Sequence, residues 1–215
     1  MTRAESVTKA PAPGGKLSYE EFLAWCDEDT WAEWVDGEVI ILSPASLRHQ
    51  ELVRFLVTVI GLFNDVFQLG TVLTAPFQMK LGSEGPGREP DLLFVAREHR
   101  DRLLPTLVDG PADLAIEITS PESVRRDRGD KFVEYEAAGV REYWLIDPDR
   151  ELAEFYRLGA DARYRLAPVE ETGIFRSEVL AGFWLRVGWL WQDPLPEIEA
   201  LQELGLLRAA ADAGR

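Results

Sequence analysis

The spacing of hydrophobic residues predicts four helices along the chain. Apolar side chains recur at helical intervals over residues 18–26, 45–67, 124–138 and 196–210. Ser18 and Glu21 have the spacing of a capping box, which predicts that the first helix begins directly after Ser18. Gly139 follows the third periodic segment and is expected to end that helix as a C′ glycine.

Short runs of β-branched and aromatic residues lie between these helices and predict strands. The turn dipeptide Asp36-Gly37 separates residues 31–35 from 38–42, so this segment is expected to form a β-hairpin. Further strands are predicted at residues 70–81 with a break near Pro76, 91–96, 113–119, 142–146, 151–157, 162–167 and 172–180. Residues 83–90 and most of 97–112 contain the Gly and Pro residues typical of loops.

This order of elements predicts an α/β fold of the mixed α+β type. A central mixed β-sheet flanked by helices would follow the N-terminal helix and β-hairpin. The length of 215 residues favours a single domain over residues 17–210. Residues 1–16 are rich in Ala, Pro, Gly and Thr, lack apolar periodicity and are expected to form a disordered tail.

The amino-acid composition and the net charge exclude several classes of protein. Hydrophobic residues make up 46% and charged residues 28%, which excludes a wholly disordered chain, a collagen-like chain and a disulfide scaffold. The single cysteine, Cys26, cannot form an internal disulfide, so we expect a cytoplasmic protein. Neither a secretory signal nor a membrane span is expected, and no membrane partner is predicted. The net charge of −15 excludes a general nucleic-acid coat protein.

Carboxylates on two predicted strands are candidate ligands of a metal ion. In residues 113–119 Glu117 lies mid-strand on the face opposite to Leu114, Ile116 and Ile118, and a buried carboxylate there is costly without a compensating partner. Asp91 begins the strand at 91–96, so two neighbouring strands would bring both carboxylates within reach of one Mg²⁺. In the alternative, Asp91 caps a turn and Glu117 pairs with a buried arginine.

A lysine and a histidine are further candidates. Lys131 lies in the helix that follows Glu117, either as an exposed pair with Asp127 four residues earlier or with its ammonium close to a scissile phosphate. His49 lies at the start of the long helix, where a structural role and a functional role both remain open. His99 is expected in a solvated loop.

Taken together, these segments resemble the Uma-type restriction endonuclease family, a branch of the PD-(D/E)XK nuclease superfamily. The order and spacing of the pieces carry the resemblance, which covers about residues 18–195. The matching pieces are Glu33-x-x-Asp36-Gly37-Glu38, Ser43-Pro44 followed by His49, REPDLLFV (88–95), DLAIEITSPES (113–123), Asp127-x-x-x-Lys131-x-x-x-Tyr135, GVREYWLIDP (139–148) and LAGFWLRVGWLW (180–191). The resemblance implies a restriction-endonuclease-like core.

The resemblance also implies roles for individual residues. Asp91, Glu117 and the backbone carbonyl of Ile118 would bind Mg²⁺ or Mn²⁺. The superfamily pattern has a lysine two residues after the glutamate, where this chain has Thr119. In this family the lysine is thought to have moved to the following helix, and Lys131 matches that place. Two further residues, His49 and Glu33, match recurrent positions near the site and are also expected to be catalytic.

The implied activity is metal-dependent hydrolysis of DNA phosphodiester bonds. Residues 17–47 contain eight acidic residues and no Lys or Arg, whereas residues 85–131 contain eight basic and ten acidic residues. We therefore expect weak, salt-sensitive DNA binding by the monomer, which a dimer or a separate partner could strengthen, and we expect a homodimer. The candidate phosphate contacts, each of which could instead be a solvated surface residue, are Arg88, Arg97, Arg100, Arg102, Arg125, Arg126 and Arg128.

Two other functions stay open. Thr119 and the acidic charge also fit a catalytically inactive binding or regulatory module with the same fold. A dimeric structural protein would use the aromatic residues of the segment 183–191. These aromatic side chains are expected in the core or in a dimer interface rather than stacked on bases, and they are Phe183, Trp184, Trp189 and Trp191.

Overall fold

The computed structural model of the chain describes residues 15–26, 30–41, 44–83 and 85–207. Several predictions from the sequence concern other residues and therefore lie outside this part of the chain. They are most of the predicted tail (1–14), the end of the hairpin and Ser43 (42–43), and the end of the last predicted helix (208–210).

The N-terminal helix and hairpin form as predicted. Helix α1 spans Tyr19–Trp25 and begins with the full capping box of Ser18 and Glu21. Strands β1 (Ala32–Val35) and β2 (Glu38–Ile41) pair antiparallel. Asp36 and Gly37 between them have φ values of 50° and 88°. Positive φ at both central residues is the conformation of the tight hairpin turn that Asp-Gly favours.

The remaining elements alternate between strands and helices. The helices are α2 (Leu47–Phe67), α3 (Val124–Arg128), α4 (Asp130–Ala138) and α5 (Glu197–Glu203), with 3-10 helices at Arg97–Arg102 and Val187–Trp191. The strands are β3 (Gly70–Thr74), β4 (Gln78–Lys80), β5 (Gly87–Arg88), β6 (Leu92–Ala96), β7 (Leu107–Asp109), β8 (Leu114–Ile118), β9 (Glu142–Asp147), β10 (Leu152–Leu158), β11 (Tyr164–Leu166), β12 (Ile174–Arg176) and β13 (Trp184–Arg186).

A six-stranded mixed sheet forms the centre of the fold, in the order β11-β10-β9-β8-β6-β3. Strands β8 and β9 run parallel, whereas the other neighbours are antiparallel. The predicted mixed sheet flanked by helices is therefore confirmed. A second sheet, in the order β2-β1-β5-β4-β7, extends the hairpin and was not predicted.

The central sheet separates two hydrophobic cores. On one face the predicted apolar side of β8 packs against the buried stripe of α2 and the C-terminal segment. Phe183 and Trp189 are fully buried in this core and Trp184 and Trp191 pack against it, so the expected core role of these aromatic residues is confirmed. On the opposite face Ala115 lies in a smaller core with residues of α4 and the second sheet. The side chain of Glu117 lies on this second face of the sheet, as does that of Ala115.

Three predicted segments differ in the structure. The helix expected at 124–138 is divided at Gly129, whose backbone (φ −112°, ψ −90°) is not helical and where a Cβ would lie 2.8 Å from the Arg125 carbonyl oxygen. The last helix ends at Glu203, so residues 204–207 of the predicted helix form a turn. The segments predicted as loops contain β5, β7 and a 3-10 helix, because elements of two to six residues leave little periodic signal.

Within the described residues, no helix combines the length and the apolar character that crossing a membrane requires.

Candidate functional site

Asp91 and Glu117 lie opposite each other on neighbouring strands. The antiparallel register of β6 and β8 pairs Leu92 with Ile116, and its continuation by one residue pairs Asp91 with Glu117. Directly opposed residues share one face of the sheet and have Cβ atoms about 5 Å apart. The expectation that the two strands are neighbours is therefore confirmed, and the structure brings the two carboxylates together.

Pro90 leaves the backbone of Ile118 partly without a strand partner. The same register places Pro90 opposite Ile118, and proline has no N–H to donate to the Ile118 carbonyl. The Ile118 N–H donates to Asp91 Oδ2 at 2.7 Å. The β6 strand thus supplies no ladder donor to this carbonyl, which lies next to both carboxylates.

Two donors from α4 hold one oxygen of Glu117. Lys131 Nζ and the Tyr135 hydroxyl each donate to Glu117 Oε1 at 2.8 Å. Lys131 and Tyr135 are four residues apart and therefore lie on the same face of α4. Within the described residues, Glu117 Oε2 has no hydrogen-bond partner, so the contacts of Glu117 leave this oxygen available to another ligand.

Lys131 is buried among three carboxylates rather than exposed. Its side chain is 3% exposed, and its ammonium lies 2.8 Å from Glu117 Oε1, 2.9 Å from Glu33 Oε1 and 3.6 Å from Asp127 Oδ1. Burial alone would lower the pKa of Lys131, but the three carboxylates outweigh it and raise the pKa. The alternative of an exposed Asp127–Lys131 pair is therefore wrong, because both side chains are inside the protein.

Glu33 joins Lys131 to a buried arginine. Arg88 Nη1 donates to Glu33 Oε2 at 2.9 Å, and two other nitrogens of Arg88 bind the Glu134 carboxylate at 2.7 Å each. Burial of Glu33 opposes ionisation, but Lys131 and Arg88 lower its pKa to about 2. The buried arginine considered for Glu117 thus pairs with Glu33 instead.

His49 fixes the second oxygen of Asp91. Its Nε2 lies 3.0 Å from Asp91 Oδ1, and its backbone N–H donates to the side chain of the N-cap residue Ser46 at 3.2 Å. Burial opposes protonation of His49, but the hydrogen bond and charge of Asp91 raise its pKa. The structure therefore brings His49 into the same cluster as Glu33, Asp91, Glu117 and Lys131.

The structure places the predicted phosphate contacts in four different surroundings. Arg88 is 1% exposed and fully engaged by Glu33 and Glu134, so its predicted contact with a phosphate is wrong. Arg128 is held by Glu154 and Asp147. The residues Arg97, Arg100 and Arg102 follow the far end of β6 from Asp91, and this places them away from the cluster.

Two arginines of α3 remain beside the cluster. Arg125 is exposed and has no hydrogen bond or ion pair within the described part of the chain. Arg126 is partly exposed, with Nε 3.7 Å from Glu33 Oε2. His99, expected in a solvated loop, binds the buried carboxylate of Asp113 at 2.9 Å, at the opposite end of β8 from Glu117.

The charges of the cluster fit a bound cation. Burial raises the pKa of Glu117 well above its usual range, and the carboxylates of Asp127, Asp91 and Glu33 raise it further against the opposing effect of Lys131. Among the described residues no group of three or more His, Cys, Asp or Glu side chains is arranged to hold a metal ion. A metal here would have two carboxylates, the Ile118 carbonyl and waters as ligands, a mixed set that Mg²⁺ accepts.

The sequence pattern predicts no role for Tyr135, and it does not predict that Arg88 is buried between Glu33 and Glu134. The spacing of Tyr135 from Lys131 was a usable signal, since residues four apart on a helix share a face. Arg88 gave no such signal, because its partners Glu33 and Glu134 are 55 and 46 residues away along the chain.

Comparison with known proteins identifies a related fold and a family. A crystal structure described as a putative nuclease belonging to DUF820 from Anabaena variabilis ATCC 29413 superposes with a TM-score of 0.68 at 18% sequence identity, over 80% of this chain and 96% of that one. At this identity the likeness concerns the fold alone. None of the curated proteins matches the chain. The profile of the Uma2 family, described as "Putative restriction endonuclease", matches residues 19–188. The chain therefore belongs to the Uma2 family.

Proposed function

We propose that this protein is a metal-dependent endonuclease that hydrolyses phosphodiester bonds in DNA. The observation that carries the proposal is the convergence of Asp91, directly before β6, with Glu117 of β8 and Lys131 of α4 in one largely buried cluster. Asp91, Glu117 and the Ile118 carbonyl would hold Mg²⁺ or Mn²⁺. A divalent ion of this kind supplies an activated water and neutralises charge that develops on the phosphoryl oxygens.

The side chains around the ligands would keep them in place. His49 and the Ile118 N–H each bind one oxygen of Asp91, at 3.0 and 2.7 Å, and so restrict its rotation. Tyr135 and Lys131 do the same for Glu117 Oε1. Preorganised ligands and charges of this kind contribute to transition-state stabilisation because they need not rearrange during the reaction.

Lys131 would supply the positive charge that Thr119 cannot. Thr119 favoured the alternative of an inactive module, because a superfamily lysine is missing from β8. The Lys131 ammonium lies 2.8 Å from Glu117, so the helix that follows delivers a cation to the same carboxylate. Glu33, 2.9 Å from Lys131, would set the position of that ammonium.

Binding of DNA is expected to be weak and sensitive to salt. The net charge of −15 repels a polyanion, and Arg125 and Arg126 are the arginines left beside the cluster for phosphate contacts. A homodimer would double these contacts, and we propose it as the active form.

Nicking of supercoiled plasmid tests the function. We expect activity with Mg²⁺ or Mn²⁺ that is lost in Asp91→Asn, Glu117→Gln and Lys131→Met. Asp130→Asn is the matched control, because Asp130 is exposed at the start of the helix that carries Lys131. Calorimetric titration with Mn²⁺ provides a readout that is independent of activity. Binding lost in Glu117→Gln supports the proposal, whereas no wild-type binding at millimolar Mn²⁺ supports the inactive module.

A further inference from the structure

An apolar cavity lies between the start of β1 and the start of α2. It has a volume of about 350 Å³ and is lined by Trp31, Pro44, Ala45 and Gln50. The Trp31 side chain is 42% exposed, a large exposed fraction for an indole, since tryptophan is usually highly buried. Within the described part of the chain, none of these four residues contributes a hydrogen bond or ion pair to the cluster of Glu33, His49, Asp91, Glu117 and Lys131.

Each side of the cavity has a residue that neighbours one beside Asp91. Gln50 follows His49 in the first turn of α2, and His49 Nε2 lies 3.0 Å from Asp91. On the other side, β1 and β5 pair antiparallel with Trp34 opposite Gly87. Continuing this register places Trp31 level with Pro90, the residue before Asp91. A group in the cavity would therefore lie next to a phosphate held at Asp91 and Glu117.

The chemistry of the lining favours a flat and neutral ligand. None of these four residues carries a charge, so the described part of the lining offers no charged partner to a phosphate. The indole of Trp31 provides a stacking surface, and stacking on an aromatic side chain accepts any base. The Gln50 amide can both donate and accept a hydrogen bond, as the polar edge of a nucleobase requires.

We propose that this cavity binds an unpaired nucleobase of the substrate strand, beside the phosphate at the candidate metal site, and that the protein acts on single-stranded or locally unpaired nucleic acid. A base within a duplex is paired and stacked and cannot enter such a cavity. The acidic surface favours the same substrate, because a single strand carries less phosphate charge along its length than a duplex. This inference rests on the proposed function.

Cleavage of a single-stranded oligonucleotide with an abasic residue next to the cleavage site tests the proposal. Removing the base should lower kcat/KM of the wild type on the order of tenfold. Trp31→Ala should show a similar loss on the intact oligonucleotide and no further loss on the abasic one. Trp31→Phe should retain part of the stacking. Leu166→Ala, which alters an exposed apolar residue on the edge strand β11, should behave like the wild type.

The outcomes separate this inference from the proposed function. If the wild type cleaves and Trp31→Ala has the same kcat/KM and the same sensitivity to the abasic residue, the cavity proposal is overturned and the nuclease remains. If the wild type cleaves nothing, the proposed function fails, and fluorescence anisotropy with a fluorescent thymidine oligonucleotide then decides. Binding about tenfold weaker in Trp31→Ala supports the cavity. Equal binding by the wild type and Trp31→Ala overturns the cavity proposal. A change in the oligomeric state of both Trp31→Ala and Trp31→Phe, measured by sedimentation, overturns it as well.

Discussion

Replacing Glu33 with glutamine removes one buried charge and keeps the shape of the side chain. Glu33 is fully buried and accepts from Lys131, 2.9 Å away, and from Arg88 at 2.9 Å. A glutamine has one acceptor oxygen, so its NH₂ group would face one of the two cations, and that cation would lose its charged acceptor at this position. We therefore expect Glu33→Gln to be destabilised at neutral pH.

The pKa of Glu33 gives the size of this loss. Burial opposes the charged form, but Lys131 and Arg88 lower the pKa from 4.5 to about 2. A shift of this size corresponds to about 3 kcal/mol of stability at pH 7. Mutational studies of other proteins give a similar cost, of about 3–5 kcal/mol, for removing one partner of a buried ion pair.

The sign of the pH dependence follows from the lowered pKa. The stabilisation by Glu33 is complete above the unfolded pKa of 4.5 and is lost as pH falls through about 2. Burial raises the pKa values of Glu117 and Asp127, so the contribution of these two groups to folding stability increases as pH falls. The informative quantity is therefore the difference in unfolding free energy between the wild type and Glu33→Gln.

Urea unfolding between pH 7 and pH 3 measures this difference. We expect about 3 kcal/mol at pH 7 and a decrease of about 2 kcal/mol by pH 3. Glu38→Gln, at an exposed position on the paired strand β2, is the matched control and should differ little from the wild type at any pH. A difference below about 1 kcal/mol at pH 7, or one that stays constant down to pH 3, would show that Glu33 does not stabilise the fold through its charge.

Three further substitutions test separate parts of the account. Tyr135→Phe removes one donor from Glu117 Oε1, so calorimetry should show weaker Mn²⁺ binding and cleavage assays a lower kcat; an unchanged Mn²⁺ affinity would argue against a positioning role. Gly139→Ala places a side chain at φ 92°, and urea unfolding should show a loss of about 1 kcal/mol. Arg125→Gln should weaken DNA binding and reduce the slope of log K against log salt by about 1 in anisotropy titrations; an unchanged slope would exclude a phosphate contact.

Local signals predicted the elements that form from nearby residues. The capping box at Ser18, the Asp36-Gly37 turn and the apolar stripe of α2 each act within a few residues, and all three appear in the structure. The second sheet depends instead on β4, β5 and β7, which are two or three residues long and leave almost no periodic pattern.

The candidate site was predictable to the extent that strand ends define it. Asp91 and Glu117 lie on short apolar strands, and strand pairing alone brings them together. Lys131 is buried against Glu117 in α4, which begins directly after the break at Gly129, and helical periodicity predicts neither that break nor the burial. The pairing of Arg88 with Glu33 is a long-range contact, for which the sequence pattern holds no local signal.

Anomalous diffraction from a crystal soaked in manganese would locate a divalent ion bound to the cluster. The account predicts one strong peak between the carboxylates of Asp91 and Glu117 and the backbone carbonyl of Ile118, at coordination distances of about 2 Å. The peak should be absent from crystals of Glu117→Gln. A wild-type crystal with no peak at these three groups, or with manganese bound only elsewhere, would contradict the claim that this cluster is a metal centre.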